Sequence, residues 1–382
     1  MRASLSVVSA LAILTAVNAN PVVIEKRQCA VTLSTALAVA NTMQAHYWNT
    51  GTGTYNGGSL WTDANALEYL HNLMLATGTD DFGAVADQSF IGKSAQDSST
   101  SNWVNIINGA NDDALWIVLA LWKIADYKIA RGLSATAYQN SALTIYNIIA
   151  GQWDDVCGGG LWWNGAHTYK NAITNQLWLI VSATGAINYP SQAPYLTNAN
   201  LAWNWLLNSG MRNSAGLWND GLTQDGSCVN NGQTTWTYNQ GVVASGLGAL
   251  YAVTGDENLL TEAEITLDAT IKLLTSNNIL KESCDNAASG GSVCDADQQI
   301  FKGIWTKSLQ YYLDRANDAS RNAKYSGFLG SQQSAVFHFG TDASNDVGSV
   351  WYAPNAGGSI FTPKTSASGL AAHIASAKYG PC

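Results

Sequence analysis

Proline is scarce in this 382-residue chain, six in all, and no stretch is Pro-rich or of low complexity. A spacer between two independent domains is therefore not written here, and one large domain fits better. Cys-x-x-Cys pairs and His-rich clusters are absent, and His46, His71, His167, His338 and His373 show no metal-ligand spacing, so no metal or cofactor is called for. Asp295-Ala296-Asp297 and the stretch from Asp342 to Asp346 lack the glycine and terminal glutamate of a calcium loop and read as solvated loop charges. There is no Asn-x-Ser/Thr sequon, so N-glycans are not expected. Charge is sparse at 12 %, and basic side chains are outnumbered. That balance argues against a nucleic-acid partner.

What is present points outward. Arg2, an apolar run from Leu5 to Val17 and the small-residue site Val17-Asn18-Ala19 read as a secretory signal peptide over residues 1–19, too short to span a bilayer. Residues 20–27 end in the dibasic Lys26-Arg27 and read as a short pro-segment, so the mature chain is expected to be 28–382. It would carry 15 basic and 26 acidic side chains, a net charge of −11. All six cysteines lie in that part, an even number that suits three disulfides in an oxidising compartment. No apolar tail follows His373, so neither a transmembrane nor a lipid anchor is expected. Low charge, many Gly, Asn, Ser and Thr, and 15 Trp form the composition of a secreted, extracellular protein that meets neutral polar ligands. A monomer is the simplest expectation.

Read by period, the chain contains about twelve helical segments, near 30–48, 61–77, 80–96, 111–130, 135–150, 169–185, 192–208, 237–254, 256–275, 297–314, 317–335 and 364–379. They alternate in character. In 256–275, Leu260, Ala263, Leu267, Ile271 and Leu274 fall at helical spacing opposite Glu257, Glu262, Glu264, Asp268 and Lys272, the pattern of a helix with one wet face. In 111–125 and 239–252 apolar or small residues run all round, so these helices are enclosed by others. An outer helix followed by an inner one, six times over, predicts an all-α (α/α)6 barrel whose inner helices open their N-termini on one face.

Those N-termini carry the polar and aromatic motifs. In Asn111-Asp112-Asp113-Ala114-Leu115-Trp116 two adjacent carboxylates stand at the mouth of an apolar helix, where each raises the other's cost of ionisation. A carboxylate there commonly just caps the helix, but one cap is enough. The other mouths read Leu60-Trp61-Thr62-Asp63-Ala64-Asn65, Tyr169-Lys170-Asn171-Ala172-Ile173-Thr174-Asn175, Trp236-Thr237-Tyr238-Asn239-Gln240-Gly241, Phe301-Lys302-Gly303-Ile304-Trp305 and a weaker Pro363-Lys364-Thr365-Ser366. Capping does not explain the aromatic rings beside them, which expose apolar area unless a ligand covers it. Sugars, with an apolar face and a hydroxyl rim, suit such a cleft.

These motifs, in this order and over nearly the whole mature chain, resemble glycoside hydrolase family 76, the retaining endo-α-1,6-mannanases and their fungal cell-wall relatives; the Gly158-Gly159-Gly160-Leu161-Trp162 turn belongs to the match. The resemblance implies an endo-acting hydrolase of α-1,6-mannan with Asp112 as nucleophile and Asp113 as acid/base. Adjacent residues at a helix mouth can bring two carboxyls to the roughly 5–5.5 Å that a retaining mechanism needs, although spacing alone does not say which takes which role. Candidates for contacting the sugar are Trp61, Asp63, Asn111, Trp116, Trp162, Tyr169, Lys170, Asn171, Asn175, Trp236, Tyr238, Asn239, Gln240, Lys302 and Trp305. For several of these a structural role competes. Asn171, Asn175 and Asn239 either tie inner helices together or bind hydroxyls. Trp116 is core or the floor of the site, and Lys170 and Lys302 either pair with Asp63 or Asp113 or tune the carboxylates. Family members on fungal walls are often lipid-anchored and thought to be transglycosidases; the expected free secretion here favours hydrolysis, with wall remodelling by transfer, a silent carbohydrate-binding protein and an inverting glycosidase as alternatives. The barrel places Cys29 and Cys382 on the face opposite the cleft and the other four cysteines in cleft-side loops, giving expected bridges Cys29–Cys382, Cys157–Cys228 and Cys284–Cys294.

Overall fold

The computed structural model describes residues 28–354 and 358–382, so the signal-peptide and pro-segment readings lie outside the described residues. Six inner helices form a closed ring: α2 (Leu60–Thr77), α6 (Asn111–Ala130), α8 (Ala172–Asn188), α10 (Thr237–Thr254), α12 (Phe301–Ala316) and α14 (Pro363–Tyr379), each packed on the next and α14 on α2. The outer layer holds α1 (Ala30–Tyr47), α7 (Thr136–Ala150), α9 (Ala193–Asn208), α11 (Glu257–Leu273) and α13 (Ala319–Ala335), with three short helices, α3 (Gly83–Gln88), α4 (Phe90–Ser94) and α5 (Thr100–Ile107), filling its second position. The architecture is an (α/α)6 barrel. Two-stranded hairpins β1–β2 (Trp48–Asn49 with Thr54–Tyr55) and β3–β4 (Thr275–Ser276 with Ile279–Leu280) decorate the loops.

Composition sets the layers. Helix α10 is buried from Asn239 to Leu250, and Gly241 and Gly248 let α12 approach so closely that a Cβ on Gly241 would stand 2.8 Å from the Trp305 Cα. Helix α11 buries Leu259, Leu260, Ala263 and Leu267 and leaves its acidic face wet. The expected helix over 80–96 is instead broken at Ser89, which adopts extended geometry and accepts the Gly92 amide as the cap of α4; Ser99 likewise caps α5. A Cβ on Gly92 would meet the Ala86 carbonyl at 1.8 Å, so only glycine lets the chain double back there. The segment expected to be helical from 169 starts at 172, because Asn171 is the cap that accepts from Thr174.

Three disulfides are formed: Cys29–Cys382, Cys157–Cys228 and Cys284–Cys294. The first ties the start of α1 to the end of the chain and spans 353 residues, so it removes much freedom from the unfolded chain. The other two staple long loops that lead into α8, α10 and α12. Among the described residues no helix is long and apolar enough to cross a membrane.

Candidate active site

The N-terminal mouths of the inner helices frame a cleft of about 310 Å³. Its centre is the first turn of α6. The N-cap position there is Ala110, which offers no side-chain cap, so the paired carboxylates are not explained by capping from that position. Asp112 uses both oxygens: Oδ1 accepts the Asp113 amide at 3.0 Å and Oδ2 accepts Trp163 Nε1 at 3.0 Å. Asp113 has no hydrogen-bond partner for its carboxyl among the described residues.

The difference bears on protonation. Burial pushes Asp112 up to about 6, held back by the two N–H donors, while burial and then the charges of Asp112 and Asp297 push Asp113 up to about 7. The two N–H donors favour the ionised form of Asp112, and the Asp113 carboxyl has no such donor.

The floor is aromatic. Phe301, from the first turn of α12, lies flat on Tyr238 with ring centres 3.8 Å apart and planes at 5°, and Trp236 meets it edge-on at 5.6 Å. Trp61 stacks on Trp116 at 6.0 Å. Trp116, only 2 % exposed, is backed by Lys307, whose Nζ sits 5.1 Å from its ring centre while paired with Glu68 at 2.7 Å. Tyr169 donates to Asp220 and accepts from Asn231, which fixes its ring on the wall beside Asn171.

The cleft thus brings together Asp112, Asp113, Trp61, Trp116, Tyr169, Asn171, Trp236 and Tyr238 from the sequence-derived set. The other nine lie outside the cleft lining, several of them holding its loops from behind. Lys170 pairs with Asp154 and donates to the carbonyls of Val156, Gly159 and Gly160; Lys302 pairs with Asp285 and donates to the Ser349 carbonyl. Neither lysine reaches Asp63 or Asp113, because a nearer loop acid and bare carbonyls compensate each ammonium. Asn175 bonds the Leu161 N–H and C=O, Gln240 those of Trp218, and Asn111 the Trp162 carbonyl, each locking a loop onto an inner helix. Asp63 accepts the Tyr55 amide on the far side of α2, Trp162 turns to Asp154, Asn239 is wholly buried with both amide atoms unpartnered, and Trp305 is enclosed against Phe328 one turn below Phe301.

Six lining residues were not among the site candidates drawn from the sequence: Trp163, Asp220, Asp295, Asp297, Gln298 and Phe301. Asp295 and Asp297 are exposed loop charges, as expected, and they also line the cleft. The loop stapled by Cys284–Cys294 lays them over the mouth of α12, where Asp297 accepts Trp61 Nε1 at 3.3 Å and acts on both central carboxyls. Trp162 and Trp163 take different partners, the first donating to Asp154 and the second to Asp112 in the cleft.

A barrel of this architecture with two raised carboxyls in an aromatic cleft defines a carbohydrate-cleaving enzyme as a class. The sequence profile of Glycosyl hydrolase family 76 matches residues 32–377, and the chain belongs to this family. It is 25 % identical over 275 residues to the mannan endo-1,6-alpha-mannosidase DCW1 of Eremothecium gossypii, covering 69 % of this chain and 57 % of that protein. With the mannan endo-1,6-alpha-mannosidase DFG5 of Saccharomyces cerevisiae the identity is 27 %, over 53 % of this chain and 46 % of that one. The chain thus spans about half the length of these curated relatives. Among solved structures, an inactive variant of the alpha-1,6-mannanase GH76A of Salegentibacter sp. HEL1_6, with two successive aspartates replaced by asparagine and alpha-1,6-mannotriose bound, superposes with a TM-score of 0.76 at 19 % identity, covering 91 % of this chain and 99 % of that one. Dfg5 from Chaetomium thermophilum, in complex with glucosamine, gives 0.75 at 16 % identity over 91 % and 90 %. These likenesses fix the fold.

Proposed function

We propose that this glycoside hydrolase is a secreted, retaining, endo-acting enzyme that cleaves α-1,6-mannosidic bonds in mannan of fungal or yeast cell walls. The carrying observation is the first turn of α6, where two N–H donors hold the Asp112 carboxyl, the neighbouring Asp113 carboxyl accepts none, and burial raises both. Ionised Asp112 attacks the anomeric carbon while Asp113 gives its proton to the departing glycosidic oxygen. The Asp113 carboxylate then takes a proton from water, which breaks the ester to Asp112 and regenerates both groups. The rings of Trp61, Phe301, Trp236 and Tyr238 edge the cleft and the exposed Trp163 stands on its wall, and their spread over several helix mouths favours a groove over a closed end pocket. The mannotriose bound to the Salegentibacter protein, and the loss of activity on replacing its two successive aspartates, support the substrate and the pair. Three disulfides support an oxidising, extracellular setting.

The test is incubation with linear α-1,6-mannan, with products resolved by size and by anomeric form. Shorter oligomers released first as the α-anomer are expected. Products longer than the substrate would assign transfer to a sugar hydroxyl in place of water, and no product at all would remove the mannanase reading.

A further inference from the structure

The segment from Leu161 to Asn171 is built more firmly than a surface loop needs. It is zipped to the residues just ahead of Asp112: the Trp163 carbonyl accepts the Asn111 amide at 3.0 Å, the Gly165 amide reaches the Gly109 carbonyl at 2.9 Å, and Ala110 bridges Asn164. Its own ends are closed by the Trp163 amide on the Tyr169 carbonyl at 2.8 Å and by Asn175 on both backbone groups of Leu161. Yet the side chain this frame presents, Trp163, is 44 % exposed. A large ring left in water costs apolar exposure, and its one polar atom is spent on a carboxylate in the cleft.

We infer that Trp163 is a positioning residue for the proposed reaction: its indole N–H holds Asp112 in one rotamer and keeps that carboxylate ionised for attack. The inference rests on the mannanase reading for its kinetic test and on geometry alone for its second test. With Oδ1 engaged by its neighbour's amide and Oδ2 by the indole, the Asp112 carboxyl cannot rotate without breaking a hydrogen bond, so its plane is set before substrate arrives. A donor on the charged form favours that form, which offsets part of the burial that raises Asp112. As the ester to the sugar forms, negative charge leaves the carboxyl; as water breaks the ester, the charge returns to an oxygen with its donor already in place. The charged and titratable groups facing Asp112 from the surrounding elements are Asp113 on α6, Asp297 ahead of α12, and Tyr238 on α10; Tyr169, Asp220 and Asp295 line the same cleft. All are acids or phenols, so among these groups no cation substitutes for the indole.

The test is Trp163→Phe, which keeps a ring on the wall and removes only the donor, with Trp163→Ala alongside and circular dichroism to check folding. On α-1,6-mannan, Trp163→Phe should lose about 10- to 100-fold in kcat, the usual worth of a hydrogen bond to a charged group, with KM within about threefold. The acid limb of its kcat/KM profile should move up by about one pH unit, since Asp112 then binds its proton more tightly. Trp163→Ala should add a rise in KM. A kcat within twofold of wild type and a superimposable acid limb in Trp163→Phe would overturn the inference. If the wild-type chain does not turn over mannan, the mannanase reading fails, and the inference is judged from tryptophan fluorescence. The wild-type minus Trp163→Phe difference should then titrate near pH 6 and lose that titration in Asp112→Asn; a titration unchanged in Asp112→Asn would overturn it.

Discussion

Asp297→Asn isolates an electrostatic effect that sequence reading missed. In the native cleft Asp297 adds to the burial that raises Asp112 to about 6 and Asp113 to about 7. Asparagine keeps an oxygen to accept Trp61 Nε1 and removes the charge. Two unit charges about one physiological Debye length apart, about 8 Å, interact by about 0.5 kcal/mol in water and about 2 kcal/mol at the effective dielectric of a protein surface, and the exposure of Asp297 favours the lower figure. At about 1.4 kcal/mol per unit, each carboxyl should fall by about 0.4 to 1.5 pKa units. The sign is the same for both: without a neighbouring negative charge the ionised forms cost less. The rising limb of kcat/KM, set by ionisation of Asp112, and the falling limb, set by loss of the Asp113 proton, should therefore both move to lower pH, and the optimum with them. The assay is reducing-sugar release from α-1,6-mannan across about pH 3 to 9 at fixed ionic strength. An unchanged profile, or one displaced to higher pH, would refute the placement of Asp297 as a charge acting on the pair.

Other perturbations read other parts of the account. Asp112→Asn and Asp113→Asn should each cut turnover by several orders of magnitude in protein that still gives the helical dichroism of the wild type; a near-normal rate in either removes that role. Lys307→Met leaves the buried Glu68 carboxylate without its ion-pair partner and should destabilise the barrel by about 3–5 kcal/mol, read as a lowered denaturation midpoint in urea; a change below about 1 kcal/mol would mean the pair is not buried as the fold describes. Phe301→Ala removes the ring that joins Tyr238, Trp236 and Trp61, and should raise KM for long oligomers more than for mannobiose, measured on a defined α-1,6 series.

How far the sequence could be read depended on the range of the interaction. The inner ring was legible because a helix enclosed on all sides must be apolar or small all round, as in α10, and α11 betrayed its outer place through one acidic face. The Asp112-Asp113 pair was legible because two carboxylates at an apolar helix mouth need a reason. Loop geometry was not. That Asp297 bends back over the cleft depends on a loop stapled by Cys284–Cys294, and nothing in Asp295-Ala296-Asp297 distinguishes it from a wet turn. Lys170 and Lys302 looked like cleft cations from their positions at helix mouths, but each ammonium is held behind the wall by Asp154 or Asp285 and by free carbonyls, partners set by loop paths. The break at Ser89 is local and follows from a serine cap that competes with helix continuation.

The central claim is double displacement at Asp112 on α-1,6-mannan, and its most direct measurement is a proton NMR time course of the first turnover products. The account predicts short oligomers whose new reducing ends appear first as the α-anomer and only later mutarotate, with no product from Asp112→Asn under the same conditions. New ends appearing first as the β-anomer, or mannose released singly from one chain end, would contradict it.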